Sequence, residues 1–395
     1  MIGLRDALYM LVAFLGLGAV VALLVRVGLR PWWDRRGMRA AVVVLLLLDV
    51  LVPAAWYLLK RLGQAVAADT LVTWQLALFF GQIALIGALV LAILLRAGGR
   101  LRLGKAPPPP SRSRRRFLFD ASAAAVPLVA AGCGVGGVVE ASSPVRVVRR
   151  RLELPGLPAR LAGLRILHFA DVHLWDLVKL DHLERALALA PRGEFDLVCV
   201  TGDLADDMTQ LPRALEMIAD LPAPLGHFAC LGNHEHARGL QPALRAFADG
   251  PVQLLRTGGR VLQHREQPFV VAGIDDLRSA PRVPMNDFYP DQLRRALGPT
   301  APDAFSIVLS HRPSALPYAA AAGVDLVLAG HTHGGQMAIA GRSVLELNGA
   351  AEWVWGVYRH DRTVLHVTCG LGHWFPFRLG CPPEMVVLEL AQAPA

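Results

Sequence analysis

Five short apolar runs each lead directly into residues able to hold a cation. LRILHFA (164–170) is followed by Asp171-Val172-His173, FDLVCVT (195–201) by Gly202-Asp203, and HFACL (227–231) by Gly232-Asn233-His234-Glu235. FSIVLS (305–310) precedes His311, and DLVLA (325–329) precedes Gly330-His331-Thr332-His333. DxH and GD arise by chance and GNHE is moderately specific, but all five in this order make a strong pattern. Carboxylates, an amide oxygen and imidazoles, with no thiolate, suit two divalent metal ions of the Mn, Zn, Fe or Mg kind. Two ions about 3.5–4 Å apart need a shared carboxylate. Asp203 is the natural bridge, because a sharp Gly202-Asp203 turn leaves its carboxylate open on both sides. Gly202, Gly232 and Gly330 permit tight turns and close backbone approach to the ions.

The elements that must position these residues follow from the pattern after Leu164, where β-branched strands alternate with amphipathic helices. A further strand candidate is FVVAGI (269–274), and helices are expected near 180–190, 211–219, 241–248 and 290–297. Apolar strands between helices imply a sheet covered on both faces. Sites in open α/β sheets form at the carboxyl ends of strands, so the five motifs are expected to converge in one cleft. The last runs, VWGVYR, TVLHVT and EMVVLEL, lack long helices between them and suggest a second sheet packed on the first. No internal repeat is present.

The set DVH, GD, GNHE, H and GHTHGGQ resembles the calcineurin-like metallophosphoesterase superfamily. Within it, the chain is similar to the bacterial membrane-associated, twin-arginine-exported branch. The resemblance spans about 150–390 and includes GIDD (273–276) and RLGCPPE (378–384). It implies an α/β fold, a four-layer α/β/β/α sandwich, here preceded by an all-α transmembrane region. It also implies one metal site from Asp171, His173, Asp203 and His333, and a second from Asp203, Asn233, His311 and His331. His234 resembles the residue that contacts the phosphate and helps protonate the leaving group. Glu235 stands where many members carry Asp, a position that supports this histidine from behind. The expected chemistry is in-line attack on phosphorus by a metal-bridging hydroxide, with His234 as general acid and Asp203 as the shared ligand.

Other polar residues read more plainly. His168, His227, His264, His360 and His366 are taken as core histidines, while His236 and His373 are candidates for the cleft wall. Asp206 and Asp207 read as helix-capping or solvated loop carboxylates. Asp275 and Asp276 either position a loop near the metals or shape a turn. Trp353, Trp355 and Trp374 read as core, with an apolar rim for a lipid-like substrate as the alternative. Cys199 and Cys230 lie in apolar runs and are expected to be buried. Cys369 and Cys381 could pair in an oxidising compartment, but spacing alone does not decide it. There is no CxxC pair, which argues against a zinc ribbon or redox motif.

The net charge of +8 is unevenly placed. Residues 1–116 hold 16 basic and 4 acidic residues; the remainder holds 24 and 28, a balance of −4. The positive charge thus belongs to the hydrophobic N-terminal part, and a nucleic-acid partner is not supported. All 13 histidines lie at or after His168. Apolar stretches at 7–29, 40–59 and 70–95 are each long enough to span a bilayer. Residues 1–96 therefore read as three transmembrane helices, 97–116 as a basic, Pro-rich cytoplasmic linker, and 145–395 as the catalytic domain. Segment 117–140 reads as a fourth membrane segment or a signal anchor. Ser113-Arg114-Arg115-Arg116-Phe117-Leu118 before it resembles a twin-arginine export motif, and Cys133 in VAAGC has a weak lipobox look. Arginine-rich loops after the first and third stretches place the catalytic domain on the outer face of the cytoplasmic membrane. Asp49 interrupts the second stretch, with Gln75 or Gln82 as possible partners.

These features together lead to a membrane-tethered hydrolase of a phosphodiester, phosphomonoester or pyrophosphate, with a lipid-linked or envelope-associated substrate. Two alternatives remain at this point. One is a metal-dependent nuclease, against which the acidic catalytic part weighs. The other is a transporter or sensor with a metal-binding module, for which Asp49 speaks.

Overall fold

The computed structural model describes residues 4–28, 36–62, 82, 86, 132–298, 304–373 and 376–394. The twin-arginine-like motif, most of the third apolar stretch, Gln75 and Trp374 lie outside the described residues. The chain divides into two compact units, one comprising 1–140 with 375–377 and the other the rest.

In the first unit, α1 (Leu4–Gly28) and α2 (Arg36–Arg61) are long apolar helices. Among the described residues, α2 alone carries a window long and apolar enough to cross a membrane, Val42–Leu59, with mean hydropathy 2.4. Asp49 is fully buried, and Gln82 Nε2 donates to both of its carboxylate oxygens at 3.1 and 3.2 Å. A buried carboxylate in an apolar helix needs such donors, and one of the two expected glutamines supplies them.

The second unit holds two six-stranded sheets. The first runs in the order β1 (Arg146–Leu154), β14 (Glu384–Gln392), β2 (Arg165–Phe169), β3 (Leu197–Thr201), β4 (His227–Cys230) and β5 (Gln253–Leu254). The second runs β12 (Gly356–His360), β13 (Thr363–Val367), β9 (Leu326–Ala329), β8 (Phe305–Leu309), β7 (Gln267–Gly273) and β6 (Gly258–His264). Strands β2 to β5 are parallel, as are β7, β8, β9 and β13. Each sheet therefore aims several carboxyl ends the same way.

Side-chain alternation explains why these strands are apolar throughout. On β2 and β3, Ile166, Leu197 and Cys199 enter the layer between the sheets, where they meet Phe269, Ile307, Leu326 and Val364. Their neighbours Leu167, Phe169, Val198 and Val200 face the other way, against α3 (Leu180–Ala188), α4 (Leu211–Ala219) and α5 (Asn233–Asp249). Across the molecule, Val270, Val308, Val327 and Leu365 pack on α6 (Met285–Leu297) and α7 (Leu316–Ala321). At about 1.5–3 kcal/mol per buried large aliphatic side chain, these three layers dominate the fold's stabilisation.

Sheet membership differs from the sequence expectation. EMVVLEL forms β14 and lies inside the first sheet, while FVVAGI, FSIVLS and DLVLA belong to the second. Apolarity marks a strand as buried but does not say which layer buries it. Strands β1 and β6 went unrecognised because their outward residues are charged or exposed.

Candidate functional site

All five motifs sit at the carboxyl ends of their strands. Asp171 and His173 follow β2, Asp203 follows β3, Asn233 and His234 open α5 after β4, His311 follows β8, and His331 and His333 follow β9. The first sheet thus supplies the aspartates and Asn233, and the second supplies three of the histidines.

The side chains converge in three groups, within each of which the donor atoms lie within 4.8 Å of one another. The first is Asp171, His173 and His333, the second is Asp203, His311 and His331, and the third joins His173 to Asp206 and His234. In the first, His173 Nε2 stands 3.0 Å from His333 Nε2, and His333 Nε2 stands 3.6 Å from Asp171 Oδ1. In the second, His311 Nε2 lies 3.1 Å from His331 Nδ1 and 3.1 Å from Asn233 Oδ1. Asp203 Oδ2 lies between the groups, 3.2 Å from His311 Nε2 and 3.7 Å from His173 Nε2. Every residue expected at the metals is therefore in one cluster.

The backbone around them is strained. Asp171, His173, Asp203, His331 and His333 all have φ between +50° and +74°, a region costly for non-glycine residues. Gly232 and Gly330 sit so close to the Asp203 and Asp171 carboxylates that a Cβ at either position would collide with them. The close approach is to the carboxylates themselves.

Electrostatics of the cluster favours added positive charge. Asp171 and Asp203 are both buried. Burial pushes the Asp171 carboxyl up to about 6. Burial also disfavours the charged form of Asp203, but neighbouring His311, His173 and His234 hold it well below the usual range. Burial would lower His311, yet Asp203 and Asp171 raise it to about 10. Two buried carboxylates facing convergent imidazole nitrogens and an amide oxygen are a donor set that fits divalent cations.

Three residues play parts that the sequence did not reveal. Asp206, read as a loop carboxylate, accepts from His173 Nδ1 at 3.0 Å, His234 Nδ1 at 2.6 Å and Arg238 Nε at 3.1 Å. It orients both rings and fixes their tautomers. Glu235 acts on His234 through its charge, one of the influences that raise that histidine's pKa against the lowering by burial. Its carboxylate accepts backbone N–H groups of Gly232 (2.8 Å), Asp203 (3.1 Å), Leu204 (2.7 Å) and Ala205 (3.3 Å), clamping the Asp203 loop to the start of α5. Arg312, following His311, donates to Asp276 Oδ2 (2.7 Å), Asn233 Oδ1 (3.2 Å) and His331 Nε2 (2.8 Å). The GDLAD spacing, with a second aspartate three residues past the first, was the available signal for Asp206.

The remaining candidates sort by contact. His168 and His366 are core residues, with Nδ1 atoms 2.9 Å apart between the sheets. His227 and His264 are only half-buried, and His360 is exposed at the end of β12, so these three are not core. His236 is tied to Asp275 at 2.7 Å, and His373 is buried. Asp275 also holds Arg256, while Asp276 both caps a turn through Arg278 N and holds Arg312. Asp207 is a loop carboxylate bonded to Thr209. Trp353 and Trp355 are half-buried, and the Trp355 indole donates to Glu384. All four cysteines of this unit are buried, and no disulfide links Cys369 to Cys381.

Known proteins carry the same pattern. A model of the calcineurin-like phosphoesterase family matches residues 164–335. An uncharacterized metallophosphoesterase of Aquifex aeolicus is 32% identical over 260 residues, covering 62% of this chain and 92% of that one. One from Bacillus subtilis is 29% identical over 281 residues, covering 69% and 94%. A Danio rerio transmembrane protein with metallophosphoesterase domain is 29% identical over 282 residues, or 67% of this chain, which spans 62% of that relative's length. Convergent donors on five strand ends and a relative matched over nine-tenths of its length lead to one assignment: the chain belongs to the calcineurin-like metallophosphoesterases.

Proposed function

We propose that residues 145–395 form a dinuclear metal-dependent phosphoesterase, held at the outer face of the cytoplasmic membrane by the preceding multi-pass helical region. The observation that supports it most is Asp203 Oδ2, which stands 3.7 Å from His173 Nε2 in one donor group and 3.2 Å from His311 Nε2 in the other. A carboxylate in that position can serve both groups. Asp171, His173, Asp203 and His333 would hold one ion, and Asp203, Asn233, His311 and His331 the second. Two such ions supply Lewis acidity and a water acidic enough to act as a nucleophile near neutral pH.

This chain's own side chains do the rest. Asp206 accepts from His234 Nδ1 at 2.6 Å, which turns the ring's Nε2 toward the cluster, 3.9 Å from Asp203 Oδ2. Burial disfavours a charged His234, but the hydrogen bond to Asp206 and the charge of Asp203 outweigh it and raise its pKa. A histidine kept protonated beside the reacting phosphate is placed to protonate a departing alkoxide, a role worth about 10²–10⁴-fold.

The substrate is a phosphate ester or pyrophosphate, and a lipid-linked or envelope-associated one is favoured. Immediately after His333, the segment with β10 (Ala338–Ile339), β11 (Arg342–Ser343) and α8 (Val344–Leu347) exposes Met337, Ile339, Leu345 and Leu347. Apolar side chains exposed beside a cleft suit an acyl or polyprenyl tail. The reading is tested by Asp203→Ala, which is expected to abolish metal-dependent hydrolysis of an aryl phosphate ester. Near-normal turnover with normal metal content would overturn it. Exclusive turnover of soluble nucleotides, with none of lipid-linked phosphates, would overturn the lipid preference.

A further inference from the structure

We infer that Arg312 is a substrate-binding residue of this site and selects a terminal, dianionic phosphate, as in a phosphomonoester or pyrophosphate, over a diester. The inference rests on the phosphoesterase reading and deepens it. Arg312 follows His311 at the end of β8, so its backbone is held by the same strand that delivers that histidine. Its Nε donates to Asp276 Oδ2 at 2.7 Å, and NH2 reaches Asp276 Oδ1 at 3.5 Å. The Asp276 carboxylate is buried and pinned in turn by Arg278 N at 2.8 Å. This side-on anchor fixes the plane of the guanidinium and leaves its far edge directed at the site. There NH1 lies 2.8 Å from His331 Nε2, and NH2 lies 3.2 Å from Asn233 Oδ1. Asn233 Oδ1 belongs to the second proposed metal group, and so does His331 through Nδ1; a metal on Nδ1 would leave the ring proton on Nε2, so NH1 would then give up that contact and turn to a ligand oxygen. A phosphoryl oxygen held at that group therefore falls within a guanidinium's reach.

Arg312 is one-quarter exposed, which keeps the far edge accessible from the cleft while the anchor stays dry. NH1 carries two N–H groups and, among the described residues, meets one partner, so it retains a donor for a ligand. NH2 spends its N–H groups on Asp276 and Asn233, so a ligand meets NH1 and the guanidinium charge, which hold a phosphate oxygen more strongly the more negative it is. A phosphomonoester offers three non-bridging oxygens and a charge near −2 at neutral pH, where a diester offers two oxygens and −1. The extra charge is what NH1 and the guanidinium cation can read. Arg238 is turned to Asp206 Oδ1 at 3.1 Å and is half exposed, against one-quarter for Arg312.

The test uses the full detergent-solubilised chain and its Arg312→Ala, Arg312→Lys and Asp276→Asn variants. Metal content is measured for each, with kcat/KM for 4-nitrophenyl phosphate and for bis(4-nitrophenyl) phosphate. Binding of inorganic phosphate is measured by calorimetry. The expected result is a monoester-to-diester ratio lowered at least about 30-fold in Arg312→Ala, with full metal content and phosphate affinity weakened at least about tenfold. Arg312→Lys should recover the charge but not the side-on anchor and fall between; Asp276→Asn should lower the ratio in the same direction. Equal losses on both esters, or loss of metal with unchanged phosphate affinity in the protein that retains it, would overturn the inference and leave Arg312 as a support for Asn233 and His331. If no form hydrolyses either ester, the phosphoesterase reading fails, while the phosphate titration still decides whether Arg312 binds the anion.

Discussion

Replacing Asp206 by Asn separates orientation from charge at the proposed general acid. The carboxylate accepts His173 Nδ1 on Oδ2 and both His234 Nδ1 and Arg238 Nε on Oδ1. An amide of the same shape has one accepting oxygen, so one histidine N–H must face an N–H donor. The shorter bond, 2.6 Å to His234, is the one with more to lose. A hydrogen bond to a charged group contributes about 1.5–3 kcal/mol, and a pKa unit corresponds to about 1.36 kcal/mol. Loss of the carboxylate should therefore lower the His234 pKa by about one to two units. A general acid must be protonated to act, so activity falls as pH rises through its pKa. The basic limb of the pH–rate profile is expected to move to lower pH by the same one to two units or so. Dependence on the leaving group gives a second reading. Alkyl phosphates, whose alkoxides need a proton, should lose about 10²-fold or more above the shifted limb, and 4-nitrophenyl esters under about tenfold. Both ions should be retained, since the amide oxygen can still face His173. Equal losses on both leaving groups, or an unmoved limb at full metal content, would refute the assignment to His234. Loss of metal would instead place the carboxylate's main weight on His173.

Three further outcomes are expected. Glu235→Ala leaves four backbone N–H groups without their acceptor and should destabilise the catalytic unit by at least about 3 kcal/mol, read as a lowered Tm; an unchanged melt would show that water replaces the carboxylate. Gly330→Ala puts a methyl against the Asp171 carboxylate and should reduce bound metal before it reduces thermal stability; full metal content would contradict that close approach. Burial lowers His168 to about 3 and holds His366 well below its ordinary value, so the folded state keeps both neutral while the unfolded chain takes up protons below about pH 6.5. Stability should be full above that pH and fall by about 3 kcal/mol from pH 6.5 to 5.0 through these two groups. Chemical unfolding of wild type and of the His168→Gln, His366→Gln double variant at both pH values checks this. Parallel pH dependence in the two proteins would count against it.

The proposed ligands were legible because chemistry and strand-end position coincide in the chain: an apolar run followed by Asp, Asn or His leaves little choice about where the polar group goes. Asp206 and Arg312 were not, because each looks in sequence like an ordinary loop residue and acquires its partners only from other strands. Glu235 has a second role that the sequence hides for a related reason. Its carboxylate accepts the backbone of the Asp203 loop, a partner 30 or more residues away. The strand-to-sheet assignment failed at β14, whose apolar pattern suits either sheet equally and whose place is decided by pairing with β1 and β2. Charged β1 was missed because only its last residues turn inward. Positive φ at five of the proposed ligands is a tertiary effect with no local sequence signature.

The shared-carboxylate arrangement is tested most directly by anomalous diffraction from crystals of the protein loaded with Mn²⁺. Two peaks about 3.5–4 Å apart, flanking the Asp203 carboxylate with Asp171, His173 and His333 on one side and Asn233, His311 and His331 on the other, are the predicted result. A single peak, or none at saturating Mn²⁺, would contradict it.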